Sequence, residues 1–330
     1  ENLIFFIVFS ISVILNLIIQ MDSNAACAKN ASDAIKVKAG DSTPFALDSA
    51  PTTFDQDQCS QEPDEYKVKF YKVALCLTDP YTGESNPDYS SCADILNTEN
   101  EVILKPDADT DLLDGNVFLP VGSYNHLAVI VDNHLNLKHK QKFVLSNGND
   151  ATLKGNSSGS GTWCWSRAAV TTYSGGRATD TDYEANQNGV NIVASGTGTT
   201  NAQLKCGSEP SASDIGWATE IIDTFADNTD YQSFSNYSAD EEIDGIQIAG
   251  NLLKTDNKTL ATTDDDARRI AGFYKYTTPV VINEDTVMFK VKINTYSSVS
   301  IDFAVDGSNV IWGAKMGADP FIVKIETNLR

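Results

Sequence analysis

The sequence predicts a mainly β protein: two antiparallel β-sandwich domains, Ig-like or jelly-roll in type, behind an N-terminal signal helix. Three observations lead there. Short runs rich in Val, Ile, Phe and Tyr alternate apolar with polar residues at the period of two that a half-buried strand requires. Turn-forming Gly, Asn, Asp and Pro separate those runs at short intervals. The six cysteines, Cys27, Cys59, Cys76, Cys92, Cys164 and Cys206, form no CxxC pair, which suits disulfide staples better than a zinc site or a thioredoxin-like couple.

Residues 1–25 read as a signal peptide. The uncharged run Leu3 to Ile19, "LIFFIVFSISVILNLII", is followed by Ser23-Asn24-Ala25, small residues of the kind a signal peptidase accepts. Glu1 ahead of an apolar run is similar to the start of a type IV pilin helix, which implies a retained anchor. That helix would continue past the run, and "MDSNAACAKNASD" breaks it, so cleavage near Ala26 is the expectation. A secretory signal places the cysteines in an oxidising space, secreted, periplasmic or at the cell surface. Pairing in chain order, Cys27–Cys59, Cys76–Cys92 and Cys164–Cys206, is expected; closing the loop of about 15 residues after Cys76 stabilises a fold by about 3 kcal/mol in the chain-entropy model.

The first domain is expected over residues 26–145. "EYKVKFYKVALCL" alternates Tyr66, Val68 and Phe70 with Lys67 and Lys69, then changes phase near Tyr71 as a bulged strand does. "NEVILK", "NVFLPVGSYNHLAVIVD" and "KQKFVLS" supply further strands, with Asp132-Asn133-His134 and Asn136 as the tip of a hairpin. Residues 146–162, "SNGNDATLKGNSSGSGT", lack periodicity and read as a linker. The second domain, 163–330, opens on "TWCWS", where Trp163 and Trp165 flank Cys164 and are read as core packing beside a disulfide. Residues 213–226 predict one short amphipathic helix, with Ser213 as N-cap and Trp217, Ala218, Ile221, Ile222 and Phe225 on one face. The last third returns to strands, among them "GFYKYTTPVVI", "TVMFKVKIN", "SVSIDFAVDG", "NVIWGAKMG" and "PFIVKIET", with a hairpin turn at Asp306-Gly307.

Charge and motifs narrow the function. A formal net charge of −21 with no basic stripe excludes nucleic acid as a partner. The sequence contains no GxSxG, HExxH or P-loop signature, and its three histidines, His126, His134 and His139, all fall on one predicted hairpin. Glu241, Glu242 and Asp244 read as a solvated loop. The strongest motif is "DADTDLLDGN": Asp107, Asp109 and Asp111 have the odd-position spacing that lets one tight loop converge on a hard cation. Leu112 and Phe118 stand where an EF-hand needs Gly and Glu, so the expectation is a looser calcium loop completed by Asp114 or Asn116. Asp180, Asp182 and Glu184 repeat the spacing more weakly.

The expected function is non-catalytic: a secreted, disulfide-stapled structural or adhesive cell-surface protein, in the form of a self-assembling filament subunit or a partner to an extracellular ligand. It touches membrane only through its N-terminal segment before cleavage. The alternatives are an extracellular glycan-binding or ligand-binding module and a secreted glycoside hydrolase built on paired carboxylates.

Overall fold

The structure is a computed structural model that describes residues 26–37, 59–83, 85–106, 112, 119–145, 147–155, 159–172, 204–224, 234–239, 246–305, 311–318 and 321–329. The expected signal segment, 1–25, lies outside them. Among the described residues the chain is mainly β, and no helix is long and apolar enough to cross a membrane.

The first strands are β1 (Ile35–Val37), β2 (Cys59–Gln61), β3 (Glu65–Cys76), β4 (Cys92–Leu96) and β5 (Asn100–Leu104). The spine is β3. Its Tyr66, Val68 and Phe70 are buried while Lys67 and Lys69 stand half-exposed, the alternation read from sequence. Burying such a large side chain contributes roughly 2–3 kcal/mol. Against β6 (Gly122–Asp132) the register of β3 slips between Phe70 and Lys72, so the expected bulge at Tyr71 is present. Beyond it both faces of β3 are buried, Val73 and Leu75 on one and Cys76 on the other.

β7 (His134–Lys138) follows β6 with one intervening residue, and both run antiparallel to β3. The chain therefore passes straight through Asp132-Asn133-His134, and the hairpin expected there is corrected to a kink in one long strand. Tertiary bonds override the turn chemistry. The Asn133 amide donates to Ile222 O at 3.0 Å and Ala267 O at 3.1 Å, while its own carbonyl accepts the Ile222 N–H. After a second kink at His139 the chain continues as β8 (Lys140–Leu145), which leaves β3 to pair with β1 in parallel.

The remaining strands are β9 (Leu153–Lys154), β10 (Ser160–Gly161), β11 (Trp163–Ser166), β12 (Ala169–Thr172), β13 (Leu204–Gly207), β14 (Ala218–Ile221), β15 (Phe234–Ala239), β16 (Gln247–Leu253), β17 (Arg269–Ile282), β18 (Thr286–Asn294), β19 (Val299–Val305), β20 (Ile311–Ala318) and β21 (Ile322–Leu329). They do not form a separate body. β17 pairs with β6, β14 with β7, β11 with β8 and β19 with β2. One ten-stranded sheet holds β3–β7 together with β12 and β14–β17. The division into two cores at 146–162 is thus corrected to a continuous β architecture. Within the expected linker Gly148 turns the chain at φ 87°, Ala151 and Leu153 are buried, and β9 pairs with β20.

The helix expected over 213–226 is also corrected. Ser211 starts a single 3-10 turn, Ala212–Asp214, and the chain then becomes β14, held between β12 and β7. Gly216 lies so close to Ala168 that a Cβ would sit 2.4 Å from its backbone nitrogen, so this approach requires glycine. The strand-rich C-terminal third matches the sequence reading, with β19 and β20 antiparallel neighbours; the turn at Asp306-Gly307 lies outside the described residues.

The main core joins the ten-stranded sheet to the later strands. Phe321 packs edge-on against Tyr66 and Phe70 at 5.9 and 5.7 Å, and the Tyr274 and Tyr276 hydroxyls donate to the carbonyls of Phe321 and Val323. Val299, Ile301 and Met316 complete it from β19 and β20. All three expected disulfides are present, Cys27–Cys59, Cys76–Cys92 and Cys164–Cys206. Cys76 faces Cys92 across β3–β4, and Cys164 faces Cys206 across β11–β13. The loop that Cys76–Cys92 closes folds over the opposite face of the large sheet. There Tyr81 and Tyr89 lie 5.7 and 6.5 Å from the Phe273 ring, and Asn86 Oδ1 accepts the Leu260 N–H. This loop lids a second, smaller core of Cys76, Ala128, Ile130, Leu253, Leu260, Ala271 and Phe273.

Candidate functional site

Chemistry-bearing side chains concentrate along the strand that carries the histidines, residues 126–141. Because that strand crosses from one sheet to another, its polar residues face several elements at once.

At the first kink Asp132 is 6% exposed and makes four contacts with three residues. Its Oδ1 lies 2.6 Å from His134 Nδ1 and accepts the His134 backbone N–H at 3.0 Å. Its Oδ2 accepts the Tyr71 hydroxyl at 3.0 Å and lies 3.6 Å from the Arg269 guanidinium. Burial alone would raise the Asp132 carboxyl; the His134 hydrogen bonds and the Arg269 charge outweigh it and hold the carboxyl below the usual carboxylate range. Burial, reinforced by the Asp132 charge, pushes the Tyr71 phenol up. The Arg269 guanidinium also stacks on the Tyr71 ring, 3.7 Å from its centroid, and its Nε donates to Asn257. Asp132 and His134 form an orienter–imidazole pair of the kind acid–base catalysts use. Here Oδ2 of the orienting carboxylate also ties β3, through Tyr71, and β17, through Arg269, to the kink between β6 and β7.

At the second kink His139 is buried where β2, β3, β8 and β11 meet. The Gln61 Nε2 stands 2.6 Å from His139 Nε2, which assigns that nitrogen as the acceptor of a neutral ring. The other nitrogen, Nδ1, has no hydrogen-bond partner and lies 3.8 Å from Asp64 Oδ2. Burial depresses the imidazole to about 4, and the nearby Asp64 charge offsets only part of that. The backbone is fastened too: His139 N–H donates to Ser166 Oγ, which donates to Gly216 O.

His126 sits in a row between Cys76 on β3 and Lys275 on β17. Burial lowers its pKa, Asp79 at 3.7 Å opposes that, and Lys275 adds to it. The three imidazoles thus face three different carboxylates and do not converge. Another buried acid, Glu220 on β14, accepts the Ala318 N–H at 2.8 Å and so joins the large sheet to β20. A Cβ on Gly317 would meet Ser300 Oγ at 2.8 Å and Glu220 Oε2 at 3.2 Å, so this approach requires glycine.

The tryptophans expected in the core beside Cys164 divide: Trp165 is buried and Trp163 half-buried. Each has a lysine ammonium over its ring, Lys205 and Lys140 respectively, and Trp217 carries both Lys67 and Lys138 at 5.1 and 4.7 Å. The proposed calcium ligands Asp107, Asp109, Asp111 and Asp114 lie outside the described residues, as do Asn116, Asp180, Asp182, Glu184, Glu241, Glu242 and Asp244. Among the described residues no group of three His, Cys, Asp or Glu side chains is placed to hold a metal ion. Gln61, Ser166 and Glu220 were not singled out from sequence, and Asp132 and Asn133 only as the tip of a hairpin; the available signal was a polar residue at an inward position of an otherwise apolar strand.

No protein-family model matches the chain, and no curated protein or solved structure matches it either.

Proposed function

We propose that this is a secreted structural or adhesive protein of the cell surface, its sheets layered in a sandwich-like way. Three disulfides in a mainly β molecule fit an extracellular protein. The observation that carries the structural reading is the use made of the buried polar groups. Asp132, Asn133, His139, Ser166 and Glu220 each bond to a segment distant in the chain, at the points where the chain kinks or two sheets meet. A molecule whose polar interior serves as fastening is suited to resisting force and proteolysis. A glycan-binding module instead needs bare aromatic faces, and the rings of Trp163, Trp165 and Trp217 are each capped by lysine.

The test is made on the producing cells. Antibody should label unpermeabilised cells or their matrix, and mass spectrometry after alkylation without reduction should find all six cysteines blocked. Cytosolic protein with alkylated cysteines contradicts the location. Turnover of a glycoside by the purified protein, abolished by a single carboxylate substitution, contradicts the structural role.

A further inference from the structure

We propose that β5 is a self-pairing edge at which two copies of the chain join antiparallel about a two-fold axis through Ile103. Among the described residues β5 hydrogen-bonds with β3 alone, so its other edge has no strand neighbour. Its pairing with β3 is regular, from Tyr66 opposite Leu104 to Phe70 opposite Asn100, without the bulge that interrupts β15 or β18. Bulges, inward charges, Pro and edge Lys are devices that keep edges from pairing; no bulge or inward charge occurs between Asn100 and Leu104, and Lys105 and Pro106 follow only where the strand ends.

The partner is identified by the outward row of side chains. Glu101, Ile103 and Lys105 alternate with Asn100, Val102 and Leu104 and are all exposed, Ile103 to 47%. In an antiparallel pair centred on Ile103, Glu101 of one copy meets Lys105 of the other, and the two Ile103 side chains meet on the axis. The strand behind extends the match. Lys69 lies beside Glu101, and Lys105 reaches Glu65 at 3.0 Å. Across the joint the charges then run Lys69, Glu101, Lys105, Glu65, alternating in sign over four strands. Moving the register by two residues sets Ile103 against Glu101 or Lys105 and loses that match. Directly opposed pairs of opposite charge stabilise a sheet, whereas like charges destabilise it. The edge is short against the roughly 1,000 Å² that a stable interface buries, so pairing belongs to high local concentration, as on a surface crowded with copies.

This names the partner of the structural subunit proposed above and rests on that reading for its setting; location is tested on cells and pairing by mass in solution, so each can fail alone. Sedimentation of the purified, disulfide-bonded protein should show concentration-dependent doubling of mass. Glu101→Lys alone and Lys105→Glu alone should each abolish it, since like charges then face across the axis. An equimolar mixture of those two variants should restore it, because their charges complement. An Ile103→Cys variant should form a disulfide-linked dimer under mild oxidation, since the Cα atoms of directly opposed residues in an antiparallel pair are about 4.5–5.5 Å apart, within the range a disulfide spans. A wild-type protein that stays monomeric up to about millimolar concentration overturns the proposal. So does a dimer that survives both charge variants, or one that their mixture fails to restore.

Discussion

Protonating His139 introduces a charge at a point where four strands meet and Gln61 donates to the ring. Its folded pKa of about 4 lies below the ordinary 6.5, so between those values the unfolded chain binds more protons than the folded one. Stability is therefore full above about pH 6.5 and falls as the pH drops toward 4, by up to roughly 3 kcal/mol for a shift of this size. Urea unfolding at a series of pH values should show that slope, and His139→Gln should flatten most of it. His126, lowered by burial in the same direction, leaves a residual slope. Asp132 acts in a separate window: its carboxyl is held low, so its contribution persists above about pH 4 and is lost only below. Asp132→Ala strands the Arg269 guanidinium and the Tyr71 hydroxyl, and should cost about 3 kcal/mol at neutral pH. A loss under about 1 kcal/mol would show the network to be incidental.

Among elements, β3 was legible because both its signals are local: the period-two alternation of Tyr66, Val68 and Phe70, and the phase change at Tyr71. The cysteine pairs were legible because they follow chain order, and Cys76 and Cys92, 16 residues apart, also lie on antiparallel neighbours close in sequence. Two elements were misread where distant residues decide. Asp132-Asn133-His134 has turn chemistry, yet Ile222 and Ala267 supply the bonds that a turn would make locally. The apolar spacing of 217–225 suits a helix, yet pairing with β12 on one side and β7 on the other imposes a strand on 218–221. The loop lidding the second core gives this scale its prediction. Replacing Cys76 and Cys92 with Ala should cost about 3 kcal/mol. Hydrogen exchange should rise in residues 77–91 and around Leu253 and Phe273, with β1 and β11 unchanged. Exchange rising equally throughout would mean that this disulfide is not a local lid.

At the scale of the whole molecule, strands from both ends of the sequence share sheets across 146–162. Of the candidate site, the histidines were visible in the sequence, but their separate carboxylates were not, because Asp64 and Asp79 lie far from their imidazoles along the chain. The same long-range pairing makes the architecture testable. None of the three disulfides spans 146–162, so only the backbone covalently joins the two sides. The exposed turn at 147–149 accepts a specific protease site. After complete cleavage there, gel filtration without denaturant should return both pieces in one peak at the mass of the uncut chain, parting only in urea. Two separate, folded pieces would contradict the continuous architecture.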